Sequence, residues 1–444
     1  MVTLDSIRIC LESAVPNTVA TCARDGAPNV TFISQVHYVD SEHVALSFQF
    51  FSKTRENILA NPRAAALVVD PETAARYVLD LKYLRTETAG PVFESMKARL
   101  AGIASQTGMA GVFKLRGSDI YQVLRISAVP GQSRPAREPR RNILGALRKC
   151  AVRLSAATDL AGLLDATLSG LEEFLGVRHS MILMLDPAGS RLYTIASRGY
   201  SPSGVGSEIA LGCGVIGVAA AERSPIRITH MTAEYSYTRA IRDSVERAGL
   251  GASLETAIPL PGLAESGSQL AAPILAGKQL LGVLYVESPE DLRFGFDDED
   301  ALIILAAQLG TLAGAFRENA DIPETAPLAP SPEESPNGSP SVVRHYAADD
   351  SIFIDDDYLI KGVAGAIFSK LARAYEKDGR VEFSNRELRL DASLGLPDIT
   401  DNLEARLILL ERRLGERRAP LRIEKTGRGR FRLRVDRPFT IVDA

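Results

Sequence analysis

A chain of 444 residues is longer than one hydrophobic core ordinarily supports, so several domains are expected, three on the pattern that follows. Apolar residues at 45% and charged residues at 24% are those of an ordinary globular protein and exclude a disordered or fibrous chain. A net charge of -4 excludes a protein coated in positive charge for nucleic acid, so any such affinity must sit in a local patch.

Cys10, Cys22, Cys150 and Cys213 stand singly with no C-x-x-C spacing, which points to reduced thiols in the cytoplasm rather than a disulfide framework. The opening MVTLDSIRICLESAV has no basic stretch followed by an apolar one, and no run of eighteen apolar residues occurs. A cytoplasmic protein without a membrane partner is expected.

Residues 1–130 read as short strands. TVATCAR, the turn DGAPN and VTFISQVHYVD make a β-hairpin in which Asp25-Gly26 supplies the turn chemistry. HVALSFQFF and AAALVVD continue the strands, and between them lies one helix, TRENILANP, stopped at Pro62. Ser52, Lys53 and Thr54 precede that helix. Unpaired amides and the positive end of the helix dipole suit an anion there, and two hydroxyls and an ammonium add donors, so a phosphate is the natural guest. The alternative is that Ser52 or Thr54 only caps the helix while Lys53 is a solvated surface charge. His37 and His43, in an alternating strand, read as surface or edge residues, so no metal is expected.

The order of strand, D-G-x-P turn, strands, S-K-T-x-x-N helix, N-P-R and Val-rich strand over residues 12–126 resembles the flavin-binding split β-barrel of the pyridoxamine 5′-phosphate oxidase-like superfamily. The resemblance implies FMN, with Ser52, Lys53, Thr54 and Asn57 at its phosphate and Thr31 and Ser34 near its ring and ribityl chain. Haem is the alternative cofactor, and a homodimer with the cofactor at the interface is implied too. The chain has no tryptophan and no counterpart of the oxidase's Arg-rich substrate segment, so oxidation of a vitamin B6 vitamer is not expected.

Residues 145–318 alternate helix and strand. The stretches LGCGVIGVA and SQLAAPILAGKQLLGVLYV, followed by FGFDD, resemble a GAF sensor domain, an antiparallel sheet with flanking helices. Gly277-Lys278 should turn the central hairpin, and the concave face of such a sheet can enclose a small molecule. The N-K-F-D-E signature of cyclic-nucleotide GAF domains is absent, so cyclic GMP or AMP is not expected. Cys213 in the Gly-rich loop, with His230, Tyr235 and Tyr237 after it, are the candidate pocket residues; free cysteines are more often inert core residues, which is the alternative for Cys213.

Residues 319–343 are rich in Pro, Ser and Glu and read as a linker. In 344–444, Ile360, Val363, Ile367, Leu371 and Tyr375 lie near one face of an amphipathic helix, and Ser384 with Glu387 reads as a capping box. ITDNLEARLILLERRLGERR is a long helix, and LRIEKTGRGRFRLRV two strands around a basic turn. LERRLGER and KTGRGRFRLRV resemble the long helix and wing of the winged-helix effector domain of OmpR-type response regulators. Residues 401–440 hold twelve Arg or Lys against six acids, an electrostatic footprint for a phosphate backbone. Arg406, Arg413 and Arg417 share a helical stripe expected to meet DNA, with Arg428 and Arg430 at the wing tip. Glu/Arg pairing along a solvated helix is the alternative.

The fold class expected is a multidomain α+β protein: split β-barrel, GAF-like sheet, winged helix. No catalytic triad, metal-ligand cluster or P-loop is legible. The function expected is a one-component transcriptional regulator that senses a flavin-linked redox state or a small molecule; the alternative is a flavin-dependent oxidoreductase regulated by its other modules.

Overall fold

The computed structural model of the protein describes residues 2–11, 17–33, 36–49, 53–106, 114–134, 142–186, 189–229, 258–319, 339–391, 394, 403–427 and 429–444. The first module is one antiparallel sheet of β1 (Asn17–Cys22), β2 (Pro28–Ile33), β3 (Val36–Tyr38), β4 (His43–Phe48), β5 (Arg63–Val69), β6 (Arg76–Glu87) and β7 (Gly117–Val129). The order β2-β1-β5-β6-β7-β4-β3 pairs nothing between its two ends, so the sheet is a curled half-barrel. Val19, Val44, Val68, Leu79 and Tyr121 fill its interior, joined by Leu4, Ile7 and Leu11 around a short 3₁₀ segment, Asp5–Leu11. The expected hairpin forms: Gly26 takes φ +88°, open to glycine at little cost, and the Asp25 carboxylate accepts the Ala27 N–H. The expected helix also forms as α1 (Lys53–Ala60), and β5 resumes directly after Pro62. A longer helix, α2 (Pro91–Gln106), is inserted between β6 and β7.

The middle module is a six-stranded antiparallel sheet of β8 (His179–Leu185), β9 (Arg191–Arg198), β10 (Glu208–Ala210), β11 (Ile226–Ile228), β12 (Ser268–Ala276) and β13 (Gln279–Ser288), ordered β10-β9-β8-β13-β12-β11. Side chains alternate between two cores. Ile182, Met184, Leu284 and Val286 face α3 (Ile143–Ser155), α4 (Leu160–Leu175) and a later helix; Met181, Leu183, Val283 and Tyr285 face α5 (Gly214–Glu222). Asp159 caps α4 through the Gly162 N–H, and Gly176 ends it at φ +60°. The later helix, α6 (Phe296–Asn319), begins with Asp297, Asp298 and Glu299 as its dipole favours. By length and composition α6 could cross a bilayer. Its residues Leu302, Leu305, Ala306 and Leu309 are instead buried in the core against the sheet and α3.

The last module opens with β14 (Ser341–Tyr346), whose first three residues lie in the stretch read as linker; most of that stretch falls outside the described residues. β14 pairs in parallel with the final strand, β20 (Phe439–Asp443), and on its other side with β15 (Ser351–Ile354), which pairs β16 (Asp357–Ile360). Ile360 thus belongs to a strand, and the amphipathic helix α7 starts only at Gly362, running to Asp378 with Ile367 and Leu371 buried. A second, three-stranded sheet of β17 (Glu382–Ser384), β19 (Arg430–Val435) and β18 (Leu421–Gly427) follows, with α8 (Asn385–Leu390) and α9 (Leu403–Glu416) between. Half of the expected capping box forms. Ser384 Oγ accepts the Glu387 N–H, while the Glu387 carboxylate is taken by both Nη atoms of Arg380 at 2.6 and 2.5 Å.

The modules touch through named groups. On the barrel side, α2 packs on α5: Lys97 reaches Glu222 at 2.9 Å, the Gly214 N–H donates to Ser105 Oγ at 2.7 Å, and Arg8 stacks 3.8 Å over the Phe296 ring.

A glycine locks α6 to the sheet. A Cβ at Gly310 would meet the Leu275 carbonyl oxygen at 2.1 Å, whereas one at Gly314 would sit 3.5 Å from Ala276 Cβ, an ordinary contact. Gly310→Ala should lower stability by about 1–3 kcal/mol or more, and Gly314→Ala should be neutral or gain up to about 1 kcal/mol from helix propensity; urea unfolding of the two variants measures both.

Candidate functional site

Where α1 meets the sheet there is a cleft of about 130 Å³, lined by Val19, Leu46, Phe48, Ile58 and Tyr121 as an apolar floor and by Thr31, Ser47, Thr54, Arg55 and Asp119 as polar walls. Thr54, in the first turn of α1, accepts the Asn29 amide at 2.9 Å, so β2 fixes its hydroxyl. Ser47 Oγ is buried and has no hydrogen-bond partner among the described residues.

Arg55 was not among the residues singled out, yet it dominates the wall. Its guanidinium pairs with Asp119, donates to Thr86 Oγ1 at 2.8 Å and stacks 4.5 Å from the Phe48 ring. Burial alone would lower its pKa; the hydrogen bond and charge of Asp119 outweigh that and raise it, so the cation is fixed. Arg55 follows Thr54 directly and was within reach of a local reading. Asp119 was not, because it lies 64 residues away on β7.

Of the expected cofactor contacts, Thr54 of the phosphate set and Thr31 of the ring and ribityl set line the cleft. Lys53 stands exposed on the first turn, 3.6 Å from Glu56. Asn57 is 2% exposed and donates to Thr21 Oγ1 at 3.1 Å, so it ties α1 to β1 and does not line the cleft. Ser34 and Ser52 lie outside the described residues. His43 contacts Asp40 at 2.8 Å, and His37 sits in β3.

In the middle module, Cys213 is exposed at the N-terminus of α5 and makes no side-chain cap bond. His230, Tyr235 and Tyr237 lie outside the described residues. Cys10 and Cys150 are buried, and burial pushes their thiols up to about 12 and about 11, well away from reactivity.

The basic helix α9 does not stand free. At about 100° per residue, Arg406, Leu409, Arg412, Arg413 and Glu416 fall within roughly a third of its circumference, and this side meets the middle module. Arg406 Nη2 lies 2.5 Å from Asp186 Oδ1 and its guanidinium 4.4 Å from the Tyr193 ring. Arg412 donates to the Ile195 carbonyl at 3.2 Å and to Asp165 at 2.7 Å. Ser203 donates to Glu416, and Lys425 of β18 reaches Asp159 at 2.7 Å. Arg413 is turned to its own module, donating to the Leu359 carbonyl at 3.0 Å, and burial lowers its pKa. Arg406 and Arg413 are therefore 8% and 4% exposed, and Arg417 and Arg430 are open to solvent. Arg428 lies outside the described residues. The expected stripe of three arginines exists as a stripe, but in this conformation only Arg417 is open: Arg413 is closed in by its own module and by Glu416 of the same helix, and the carboxylate that meets Arg406 comes from another module and leaves no local trace.

The comparisons with known proteins fall on two of the three modules. A pyridoxamine 5′-phosphate oxidase family model matches residues 4–128, and a GAF domain family model matches residues 157–312. The chain carries an N-terminal domain like that of pyridoxamine 5′-phosphate oxidase, followed by a GAF domain. No curated protein matches it. Among solved structures, the GAF domain of an Acinetobacter phosphoenolpyruvate-protein phosphotransferase is 21% identical, covering 41% of this chain and 97% of its own, with a TM-score of 0.31. An FMN-binding protein from Syntrophomonas wolfei is 15% identical over 28% of this chain and 82% of its own, with a TM-score of 0.24. HupZ from group A Streptococcus is 22% identical over 31% of this chain and all of its own, also with a TM-score of 0.24. None of the three bears on what this chain binds.

Two substitutions test the geometry. Asp119→Ala strands the largely buried Arg55 cation and should cost about 3–5 kcal/mol in urea unfolding of the barrel. Asp159 is pushed up by burial but pulled further down by Lys425 and the Gly162 N–H, so its pKa lies below its ordinary 3.8. Its contribution is therefore complete above that value and lost as pH falls through the folded one. Between about pH 5 and pH 3 the wild-type melting temperature should fall further than that of Asp159→Asn, by scanning fluorimetry.

Proposed function

We propose that the protein is a sensory regulator in which the half-barrel holds FMN, the GAF domain receives a small-molecule signal, and the C-terminal module, acting as a winged helix, binds DNA. The observation that carries the flavin reading is the cleft beside α1, where an apolar floor meets the Thr54 hydroxyl and the unpartnered Ser47 hydroxyl within the stretch matched by the oxidase family model. Lys53 and Thr54 would hold the phosphate at the positive end of α1, and Thr31 and Ser47 would orient the ring. When bound, FMN would supply one- or two-electron redox chemistry.

The cleft is smaller than the roughly 300–1,000 Å³ usual for a site that buries a ligand of this size. A second copy of the chain would supply the missing wall. Two features favour a homodimer: Val30 and Phe32 stand 64% and 75% exposed on the edge strand β2, and Leu144 and Val152 of α3 with Ile304 of α6 leave an apolar strip on adjacent helices. Haem is the less favoured guest, since no histidine lines the cleft among the described residues.

DNA binding is supported by the local surplus of basic residues in 401–440 and by the order of helix, helix, long helix and β-hairpin. The rival reading, a flavin-dependent oxidoreductase, is favoured by no pair of acid-base side chains in the cleft beyond the Asp119 already committed to Arg55.

The absorption spectrum of the purified protein tests the flavin reading. Wild-type protein reconstituted with FMN should show flavin absorption near about 450 nm, and the Lys53→Ala/Thr54→Val chain should bind FMN at least about tenfold more weakly, the loss of one or two charge-assisted contacts. Equal affinity of the two chains, or no flavin retained by either, would overturn it.

A further inference from the structure

Three carboxylates on the GAF domain and three cations on the C-terminal module match one to one. Asp159 sits at the start of α4, Asp165 one turn and a half further along it, and Asp186 just after β8. They receive Lys425, Arg412 and Arg406 in that order, at 2.7, 2.7 and 2.5 Å. Lys361 with Glu208, 3.7 Å apart, adds a looser fourth pair of the same polarity. Leu409, 3% exposed, lies between Arg406 and Arg412 on the same side of α9 and belongs to the apolar cluster that the two modules share.

We propose that this acidic face of the GAF domain is a dock for the basic face of α9, and that the dock and a nucleic-acid phosphate backbone compete for the same guanidinium groups. The inference rests on the DNA-binding reading above and adds its regulation. Arg406 and Arg412 cannot pair with a phosphate while Asp186 and Asp165 hold them, and α9 cannot enter a groove while β9 and α4 cover that side. The basic face of α9 therefore has two alternative anionic partners, the acidic face of this chain's own GAF domain and a phosphate backbone. Any ligand that binds the GAF domain better in the undocked arrangement would release the helix, and one with equal affinity for both would do nothing. The burial of Arg406 makes the docked state sensitive to Asp186, since a buried guanidinium that loses its carboxylate is costly.

The test uses the full chain. Asp165→Asn/Asp186→Asn removes two dock carboxylates, and Asp300→Asn/Glu265→Gln, both exposed and outside the dock, makes the same change in net charge as a control. Binding of a labelled mixed-sequence duplex at low salt is read by anisotropy, and hydrogen exchange of residues 403–416 and 191–198 reports docking. The dock variant should exchange faster in both segments and bind duplex at least about tenfold more tightly than wild type and control, with a steeper dependence on salt as more phosphates are neutralised. Unchanged exchange overturns the dock. Faster exchange with duplex affinity equal to the control overturns the competition. Faster exchange with no duplex binding by any of the chains contradicts the DNA-binding reading and upholds the dock.

Discussion

A guanidinium taken out of water has to be met by a negative charge, and on α9 that requirement is satisfied from outside the module. Arg406 is 8% exposed and its carboxylate, Asp186, lies 220 residues earlier in the chain. Moving an ion of this kind into a protein interior costs several kcal/mol, which good geometry only offsets. The pairing is thus weak as a source of stability and strong as a constraint on arrangement. With Asp186 in place, the Arg406 guanidinium is anchored to the GAF domain; without it, the same buried cation would lose the carboxylate that offsets its desolvation.

The GAF domain is gripped on its other side as well. The helix inserted between β6 and β7 of the barrel lies along α5, and Ser105 accepts the first free N–H of that helix from Gly214. Phe296, at the start of α6, is stacked between Arg8 of the barrel and Arg227 of the GAF sheet, at 3.8 and 4.3 Å. The barrel and the C-terminal module therefore both hold the same domain by polar contacts set beside apolar ones: Ala101 of α2 packs on the α5 side of the GAF core, and the buried apolar residues of the GAF domain and the C-terminal module form one continuous cluster. The Lys97 ammonium shows the same balance: its bond to Glu222 raises its pKa although burial opposes it, so the barrel-side ion pair is held in its charged form.

Much of the fold was legible because the deciding signals are local. Asp25-Gly26 fixes a hairpin, Pro62 ends α1, Gly277 at φ +59° turns the central GAF hairpin, and Ser384 caps α8. Each is settled within four residues of itself. Ile360 was misplaced for the complementary reason: a periodicity of apolar residues continued smoothly from a strand into α7, and only pairing with Ile352 of β15 marks it as strand. The cleft was legible in part. Thr31 and Thr54 line it, but Asp119 is brought in by the pairing of β7 with β4 and β6, which no stretch of sequence announces. The basic helix shows the same limit. Its charge surplus could be counted from the residues, and its side-by-side arginines could be placed by helical spacing, yet the partners of Arg406 and Arg412 come from the end of an inner strand and from a helix more than two hundred residues away.

The central claim is that a carboxylate of the GAF domain and a guanidinium of α9 hold each other in solution. A double-mutant cycle of Asp186→Ala and Arg406→Ala, measured by urea unfolding of the full chain, reads that interaction without any ligand or nucleic acid. The account expects the two substitutions to couple by at least about 0.5 kcal/mol, as residues in one ion-pair network do. Costs that add to within about 0.3 kcal/mol, as for sites that do not touch, would contradict it.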